Sequence, residues 1–308
     1  MYLERQDIQM EIASWMSGID SEVLFWEKFF FTKGCIWPED YMERISGEHF
    51  FTYPQLLPNS DIIHVLDVGA GPISLLGNKP PKEIETTINL TACDPLAAIY
   101  SALLRKYKII PYVSTEFAFS ERLCDRYASN FFDIVHIQNA LDHSIMPLLG
   151  IENMLSVCKI GGKIILSHTE NEAEFEQYIG LHQWNITMIN NKLVFWNKKN
   201  SINVSDILNS KSVIEVRKTA NDNGTYNILA ILTKTAEIDI ISTHMNNFDD
   251  LLVQVLYRVA SPAYCKLDDS GPAMQFFRNL RWRKLRRLKW YLSDQVKKIG
   301  NKLTFWKQ

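Results

Sequence analysis

Short apolar runs alternate with amphipathic segments through the middle of the chain, from residue 61 onward. The runs are bounded by turn-forming residues and predict strands, whereas the longer segments between them have helical patterning. Strands are predicted at residues 62–68, 88–93, 109–113, 132–138 and 163–168, and helices at 96–106 and 147–158. Strands and helices that alternate at this spacing form βαβ units, so the pattern predicts a parallel sheet covered by helices.

The pattern changes after residue 190. Lys192–Trp196 predicts a further strand. Two apolar runs, Val213–Arg217 and Tyr226–Leu232, flank the turn sequence Asn221-Asp222-Asn223-Gly224, which predicts an antiparallel pair. Residues 61–235 are therefore expected to form one α/β domain, with a seven-stranded, mostly parallel sheet whose last strand is antiparallel.

A helical extension is predicted before this domain, at residues 1–60. Ser21 is suited to cap a helix that runs through Phe31, with Gly34 just beyond its end. A second helix is predicted at Glu39–Ile45, because Pro38 suits a first helical turn. The aromatic side chains of this extension are expected to pack in a core: Phe25, Trp26, Phe29, Phe30, Phe31, Trp37 and Tyr41.

Residues 236–308 are predicted to be a helical C-terminal region that ends in a basic amphipathic tail. Its apolar stripe consists of Leu285, Leu288, Leu292, Val296, Ile299 and Leu303. Residues 278–308 carry eleven Lys or Arg and one acid, so a tail of +10 follows a body of −12. Such a tail can lie on an anionic membrane surface, bind RNA phosphates or an acidic partner, or form the solvated face of a packed helix.

The cysteines and the apolar runs bear on the compartment. The five cysteines are widely scattered and odd in number, which disfavours a disulfide framework and a cysteine-based zinc site. No apolar run reaches 18 residues, and the first residues lack the basic and apolar regions of a signal peptide. A cytoplasmic protein is therefore expected, with the tail placing it at the inner face of the membrane. The sequence does not predict an oligomeric state.

The sequence Asp67-Val68-Gly69-Ala70-Gly71-Pro72 follows the first predicted strand of the domain. Glycines at this point let the backbone turn sharply and approach a bound molecule closely. The acid before them would repel a phosphate but attract the amino group of an amino-acid-like ligand. A second acid, Asp94, ends the next predicted strand, where a carboxylate can accept both hydroxyls of a ribose.

These motifs resemble those of class I S-adenosylmethionine-dependent methyltransferases, which have a Rossmann-like fold. The resemblance covers roughly residues 60–235, and Phe131–His143 is similar to the family's fourth motif and the loop after it. It implies S-adenosyl-L-methionine as cofactor and a cofactor site formed by Asp67, Gly69, Ala70, Gly71, Pro72, Asp94, Pro95, Glu116, Phe117 and Asn139. Arg44 either reaches the cofactor carboxylate or forms a surface ion pair.

An NAD-binding domain is the rival interpretation of the same strand and turn. Its fingerprint requires a glycine at position 74, where Ser74 stands. Asp67 also opposes a pyrophosphate at the turn. Both features favour the methyltransferase interpretation.

Candidate catalytic residues follow the fourth and fifth predicted strands, because ligands bind at the carboxyl ends of strands in open α/β sheets. His143 and His168 are candidates for the base that deprotonates a hydroxyl acceptor, and His182 lies on a predicted insertion over the cleft. Each of the three is alternatively a hydrogen-bonded scaffold residue. Their spacing matches no compact ligand motif, so no metal site is predicted.

The segment Asn171–Asn185 resembles methyltransferases associated with bacterial surface-polysaccharide biosynthesis. This resemblance implies O-methylation of a glycan or another hydroxylated small molecule. An RNA methyltransferase that uses the basic tail is an alternative, although Gln138-Asn139-Ala140-Leu141 replaces the Asn-Pro-Pro-Tyr type of motif expected of base-amino methylation. A cofactor-binding module without catalysis is a further alternative, and nucleic acid is the less favoured partner.

Overall fold

The computed structural model describes residues 5–34, 37–46, 49–221 and 224–240, with side chains described from residue 11 onward. The α-helices in these residues are α1 Arg5–Phe31, α2 Pro38–Ile45, α3 Ala97–Lys106, α4 Pro147–Val157, α5 Glu172–Phe175 and α6 Val204–Ile207. The strands are β1 Ile62–Val68, β2 Thr87–Cys93, β3 Thr115–Glu116, β4 Phe132–Gln138, β5 Cys158–Thr169, β6 Asn185–Ile189, β7 Lys192–Trp196, β8 Ser201–Asn203, β9 Ser212–Ala220 and β10 Tyr226–Lys234. Short 3₁₀ helices lie at Pro54–Leu56, Ser120–Asp125 and Leu141–His143.

Seven strands form one sheet in the order β3-β2-β1-β4-β5-β10-β9. The five strands β3, β2, β1, β4 and β5 run parallel to one another, whereas β10 is antiparallel to both of its neighbours. This Rossmann-like, seven-stranded and mostly parallel sheet with its antiparallel last strand confirms the fold class predicted from the sequence. The predicted C-terminal helical region and its basic tail lie outside the described residues, apart from residues 236–240.

The strand order reverses between β1 and β4. From β1 the chain builds outward through β2 to β3, and it then returns to place β4 on the other side of β1. Connections that leave neighbouring strands in opposite directions open a crevice at the carboxyl edge, where ligands bind in open α/β sheets. The fold therefore places the ends of β1 and β4 side by side at this crevice.

The strand predicted at 109–113 is wrong, because β3 lies later and is only two residues long. Thr115 and Glu116 pair with the end of β2, whereas the amide of Ile109 still bonds back to the last turn of α3. Pro111 has no amide hydrogen to give to a ladder, and the side chain of Ile110 is 94% exposed. An apolar run that contains proline and is not buried does not form a strand here.

Helix α1 is one continuous helix of 27 residues, so the predicted cap at Ser21 is also wrong. Ser21 lies inside the helix, where its hydroxyl donates to the carbonyl of Gly18. An apolar stripe of Ile12, Trp15, Ile19, Val23 and Trp26 is buried along the helix. Packing of this stripe outweighs the local cap signal. Gly34 follows the helix with a φ of 94°, as predicted for a residue just past a helix end.

A second sheet, of strands β6, β7 and β8, is antiparallel and lies in the insertion between β5 and β9. The sequence predicted only β7. Strand β5 also begins earlier than predicted, at Cys158, and its register with β4 shifts around the glycine pair at 161–162. The insertion therefore has its own sheet instead of being a simple loop.

Three buried clusters form the core. The largest joins β4 and β5 to α4 and the small sheet, and the second joins α1 to α3 and α4. The third lies on the other face of the large sheet, around Ile63 and Val65. Most members of the predicted aromatic cluster are buried in the second, although Phe31 is exposed. Among the described helices, none has the length and apolar character to cross a membrane.

Candidate active site

A cavity of about 520 Å³ lies at the carboxyl edge of the large sheet, at the point where the strand order reverses. Its floor consists of the residues that follow β1, β2 and β4. Helix α1 and residues 172–182 of the insertion line it from the other side. The volume lies within the range of about 300–1,000 Å³ typical of small-molecule sites.

The glycine turn after β1 forms part of this floor. Gly69 and Gly71 both have a φ of 64°, a conformation that side chains rarely adopt. A Cβ atom on Gly69 would collide with the Cβ of Ala140 in the loop after β4, and one on Gly71 would lie 3.0 Å from the ring of Trp26. The close approach predicted for the two glycines is thus a contact with neighbouring segments of the cavity wall.

Asp67 is buried at the end of β1 and is held from both sides. One carboxylate oxygen accepts a hydrogen bond from the hydroxyl of Ser74 at 2.6 Å, and the other lies 2.6 Å from Nδ1 of His136. Asp67 and His136 are direct cross-strand neighbours of β1 and β4. Nε2 of His136 is buried without a protein partner, and His136 lines the cavity. The sequence analysis did not single out His136, because its role depends on this pairing.

Asp94 lies directly after β2, at the cavity. Its carboxylate accepts hydrogen bonds from the amides of Gly71 and Leu96, at 3.2 and 2.8 Å. Burial raises the pKa of Asp94 to about 7, against the lowering effect of these hydrogen bonds. Each carboxylate oxygen has two acceptor sites, so Asp94 retains capacity for a ligand.

The other residues predicted to bind the cofactor are distributed unevenly. Ala70, Pro95 and Asn139 line the cavity, as do Asp67, Gly69, Gly71 and Asp94, but Pro72, Glu116 and Phe117 do not. Glu116 pairs with Arg126 at the surface, and Phe117 packs against Phe119. These assignments remain predictions from the family resemblance.

The residues that follow Phe117 do line the cavity. Phe119, Ser120 and Glu121 form its wall at this point. The buried carboxylate of Glu121 accepts hydrogen bonds from the amides of Ile145 and Met146. Burial is the main cause that raises the pKa of Glu121. In the sequence Glu121 stands between Ser120 and Arg122, so its burial could not be predicted from the neighbouring residues.

Helices α1 and α2 contribute Glu22, Trp26 and Arg44 to the cavity. The indole of Trp26 donates to Glu22 at 2.8 Å, and the guanidinium of Arg44 lies 5.0 Å from the centre of the indole ring. Arg44 also donates to the carbonyl of Ile73 and pairs with Asp40. The predicted ion pair therefore exists, although Arg44 is mostly buried beside the glycine turn. Burial lowers the pKa of Arg44.

The cavity wall is strongly acidic. Among the described residues that line it, Arg44 is the only lysine or arginine. The carboxyl groups in the same wall are those of Glu22, Asp40, Asp67, Asp94, Glu121, Glu172 and Glu176. Opposite charges at short range attract strongly in a partly buried site, so the wall favours a cationic ligand and opposes a phosphate.

Asp142, His143 and His182 form a compact group, here called the histidine cluster. Nδ1 of His182 lies 2.7 Å from Oδ2 of Asp142 and 3.2 Å from Nε2 of His143. Nε2 of His143 is 3.6 Å from the same carboxylate oxygen. Asp142 is buried, whereas the two histidines are half-buried and line the cavity. Two of the three predicted catalytic histidines are thus brought together.

The groups of the cluster alter each other's ionisation. Burial alone would raise the pKa of Asp142, but the neighbouring histidines hold it below its usual range. Burial also opposes charge on His182, yet the hydrogen bond and the negative charge of Asp142 raise the pKa of His182 to about 9. Near neutral pH the pair is therefore an imidazolium beside a carboxylate.

His168, the third predicted catalytic residue, lies behind the cluster. It is 1% exposed and does not line the cavity. Its Nε2 accepts a hydrogen bond from the amide of Leu141, and its Nδ1 is 3.9 Å from Oδ1 of Asp142. Burial lowers the pKa of His168 to about 4, so it is neutral at physiological pH. This geometry suits a positioning residue behind Asp142.

The insertion is fixed over the cavity by backbone contacts. The carbonyl of Asp142 accepts hydrogen bonds from the successive amides of Gln183 and Trp184, at 3.0 and 3.1 Å. On the other side, α1 approaches so closely that a Cβ on Gly18 would lie 2.5 Å from the carbonyl oxygen of Gly180. His182 is therefore held in place by the backbone on both sides of it.

The fold and the site define a class of domain: a Rossmann-like α/β domain with an acidic cavity at its switch point. No family model matches the sequence, and no curated protein matches it. Several solved structures resemble the chain in part, and three of them follow.

The first is the CMeT domain of the citrinin polyketide synthase, with 15% identity over 60% of this chain and a TM-score of 0.41. The match spans 49% of that domain's structure, about half its length. A putative S-adenosylmethionine-dependent methyltransferase from Listeria monocytogenes matches with 14% identity, 59% and 95% coverage of the two chains, and a TM-score of 0.40. The third is an S-adenosylmethionine-dependent methyltransferase from Methanosarcina mazei. It matches with 13% identity, the match covers 59% of this chain and 96% of the other, and the TM-score is 0.35.

Proposed function

We propose that this protein is an S-adenosylmethionine-dependent methyltransferase that methylates a hydroxyl group of a glycan or another hydroxylated small molecule. The acidity of the cavity is the observation that carries the proposal. Seven carboxyl groups line it with one guanidinium, and although burial raises the pKa of Asp94, Glu121 and Glu172, the remaining carboxyl groups still outnumber Arg44. S-adenosylmethionine has two positive groups, a sulfonium and an ammonium, and one carboxylate, which suits this wall. A dinucleotide would bring a pyrophosphate into it and be repelled.

The residues around the glycine turn fit this cofactor. Asp94 has the position and the free acceptor capacity to bind ribose hydroxyls. His136 presents an unpartnered nitrogen that can accept a hydrogen bond from the ammonium group, with Asp67 behind it. Arg44, the one basic lining residue described, is the partner for the cofactor carboxylate.

The chemistry divides between the cofactor and the wall. When bound, S-adenosylmethionine supplies a methyl group on a positively charged sulfur, which makes the methyl group a strong electrophile. The protein's main task is to align the acceptor oxygen behind that methyl group and to exclude water. The hydroxyl must also lose its proton, and the imidazole of His143, which lines the same cavity, can promote this loss, whereas Asp142 holds His182 as an imidazolium.

The acceptor side of the cavity supports a hydroxylated ligand. Polar groups that hydrogen-bond to hydroxyls line the cavity beside the insertion, namely those of Thr169, Asn221 and Thr225. The negative wall does not favour an RNA phosphate at this point. The resemblance of residues 171–185 to methyltransferases of surface-polysaccharide biosynthesis makes a glycan the first acceptor to test.

Calorimetry and turnover together test the proposal. We expect wild-type protein to bind S-adenosylmethionine and not NAD, and Asp94→Ala to weaken this binding at least tenfold, because a charge-assisted hydrogen bond contributes about 1.5–3 kcal/mol. Asp61→Ala is the matched control, since Asp61 is exposed at the amino end of β1. Wild-type protein that binds no S-adenosylmethionine would refute the proposal.

Acceptor panels identify the reaction. Transfer of a labelled methyl group to hydroxylated sugars supports O-methylation, whereas transfer to RNA alone would replace the acceptor in this proposal. Cofactor binding without transfer to any acceptor would leave a non-catalytic module.

We further propose that the protein is cytoplasmic and that residues 278–308 bring it to an anionic membrane surface. The +10 charge of this segment supports the idea, because each basic residue near such a surface contributes about 1 kcal/mol. Deletion of 278–308 is expected to abolish binding to vesicles that contain phosphatidylglycerol. Unchanged vesicle binding by the truncated protein would contradict this role.

A further inference from the structure

We propose that the histidine cluster is a binding site for a divalent cation of the zinc or manganese type. Its ligands are Nε2 of His143, Nδ1 of His182 and Oδ2 of Asp142. Imidazole nitrogen and carboxylate oxygen are the usual ligands of such cations in catalytic sites, which keep other positions open for water or substrate. These three residues are a possible metal-binding group within the described part of the chain.

The spacing of the three atoms is the first argument. They form a triangle with sides of 2.7, 3.2 and 3.6 Å. A circle through such a triangle has a radius of about 1.9 Å, slightly less than the metal–ligand distances of about 2.0–2.2 Å for these donors. These distances allow a cation to contact all three atoms from a point off their plane, once His182 has lost its proton.

The surroundings supply the second argument. Oδ1 of Asp142, the oxygen that does not face the two imidazoles, is buried and lacks a hydrogen-bond partner, with the ring of His168 3.9 Å away. The charges of Glu172 and Glu176 also act on His182. An excess of negative charge in a buried site is stabilised by a cation.

The third argument is access. His143 and His182 line the cavity, whereas Asp142 lies behind them. Three ligands that occupy one side of a cation leave adjacent positions open toward the cavity. Those positions suit an acceptor that offers two neighbouring oxygens, such as a vicinal diol of a sugar.

This site deepens the proposed function and rests on it for its catalytic role. A hydroxyl bound to the cation loses its proton more easily, as water does on zinc. The O–H bond of the acceptor breaks and its proton passes to water. The oxygen then bonds to the methyl carbon as the sulfur–carbon bond breaks, and S-adenosylhomocysteine leaves as a neutral thioether. No redox change is involved.

Metal binding is tested on full-length protein made without a histidine tag and stripped with a chelator. Titration with Zn²⁺ and Mn²⁺ by calorimetry is expected to show one site, and Co²⁺ to give visible absorption bands. His143→Gln and His182→Gln, which come from separate segments, are each expected to weaken binding by more than about 100-fold, beyond the 10–100-fold loss typical of groups behind the ligands. His64→Gln is the control, because His64 lies on β1 away from the cavity.

The outcomes separate this proposal from the proposed function. The metal site is overturned if the wild type shows no single site for the cation. It is also overturned if both cluster variants bind the cation as tightly as the wild type does. Thermal unfolding and S-adenosylmethionine binding of each variant show whether it is folded, and one folded cluster variant is sufficient. Methyl transfer that chelation abolishes and the cation restores supports the catalytic role, and transfer unaffected by chelation overturns it. Metal binding without cofactor binding would retain the site and refute the methyltransferase.

Discussion

Substitution of Gly69 by alanine tests whether the loop after β4 closes against the glycine turn. The change has two separable costs. A side chain at a φ of 64° costs about 1–2 kcal/mol in backbone strain. The added methyl group also collides with the Cβ of Ala140, and overpacking of this kind costs about 1–3 kcal/mol. We therefore expect Gly69→Ala to lose about 2–5 kcal/mol of unfolding free energy.

Two further variants separate these costs. Gly161 also has a positive φ, 80°, but a Cβ there meets nothing within 4 Å, so Gly161→Ala should lose only the strain term. Gly69→Ala combined with Ala140→Gly removes the collision, since the next atom of residue 140 is 3.8 Å away. The double variant should recover about 1–3 kcal/mol relative to Gly69→Ala. Urea unfolding measures all four proteins, and no recovery in the double variant would refute the contact between the two loops.

The remaining predictions concern Asp94 and the tryptophans near the glycine turn. An aspartate in the unfolded chain has a pKa of about 4. Burial raises the pKa of Asp94 in the native state to about 7, so the native state holds the proton more tightly. Between pH 4 and pH 7, roughly, the unfolding free energy of the wild type should therefore fall as pH rises, by on the order of a few kcal/mol relative to Asp94→Asn. Urea unfolding at several pH values measures both proteins. The same pH dependence in both would contradict the burial of this carboxylate. Trp26→Ala should lower the unfolding free energy by about 3–5 kcal/mol, because Trp26 is 9% exposed and its ring contacts several aromatic rings. Trp37→Ala should lower it by less, because Trp37 is only half-buried. Similar unfolding midpoints for both tryptophan variants would argue against the packing of α1 on the turn.

The features predicted well from the sequence are those whose information lies in consecutive residues. A strand and a tight turn are specified by the apolar run that ends at Val68, by Asp67 near its end and by the two glycines that follow. This information does not depend on the rest of the chain. The same holds for the antiparallel pair β9 and β10, whose register follows from the turn between them. Both signals are local, and both fixed the fold class.

The errors came where tertiary packing outweighs local preference. Ser21 has the chemistry of a helix cap, but it lies within a helix that is stabilised by its buried stripe. The apolar run at 109–113 has the composition of a strand, but the sheet offers β3 only a two-residue partner at the end of β2. The sequence alone could not reveal either structure, because each depends on which residues from other segments pack against it.

The candidate site shows the same division. His143 and His182 were found as separate candidates, yet their separation of 39 positions in the sequence hides that their nitrogens lie 3.2 Å apart. Asp142 was passed over because an acid beside a histidine in a loop carries no signal by itself. His136 was passed over because a histidine inside an apolar strand resembles an ordinary core residue until Asp67 is placed opposite it.

For protein engineering, the insertion is the part of the cavity wall that redesign is free to change without altering the glycine turn. The insertion leaves the large sheet after Thr169 and returns to it at Ser212. Two backbone contacts limit this freedom: the carbonyl of Asp142 must meet two successive amides, and Gly180 must leave room for α1. Variants redesigned for new acceptors are therefore expected to keep these two contacts and to vary the side chains between them.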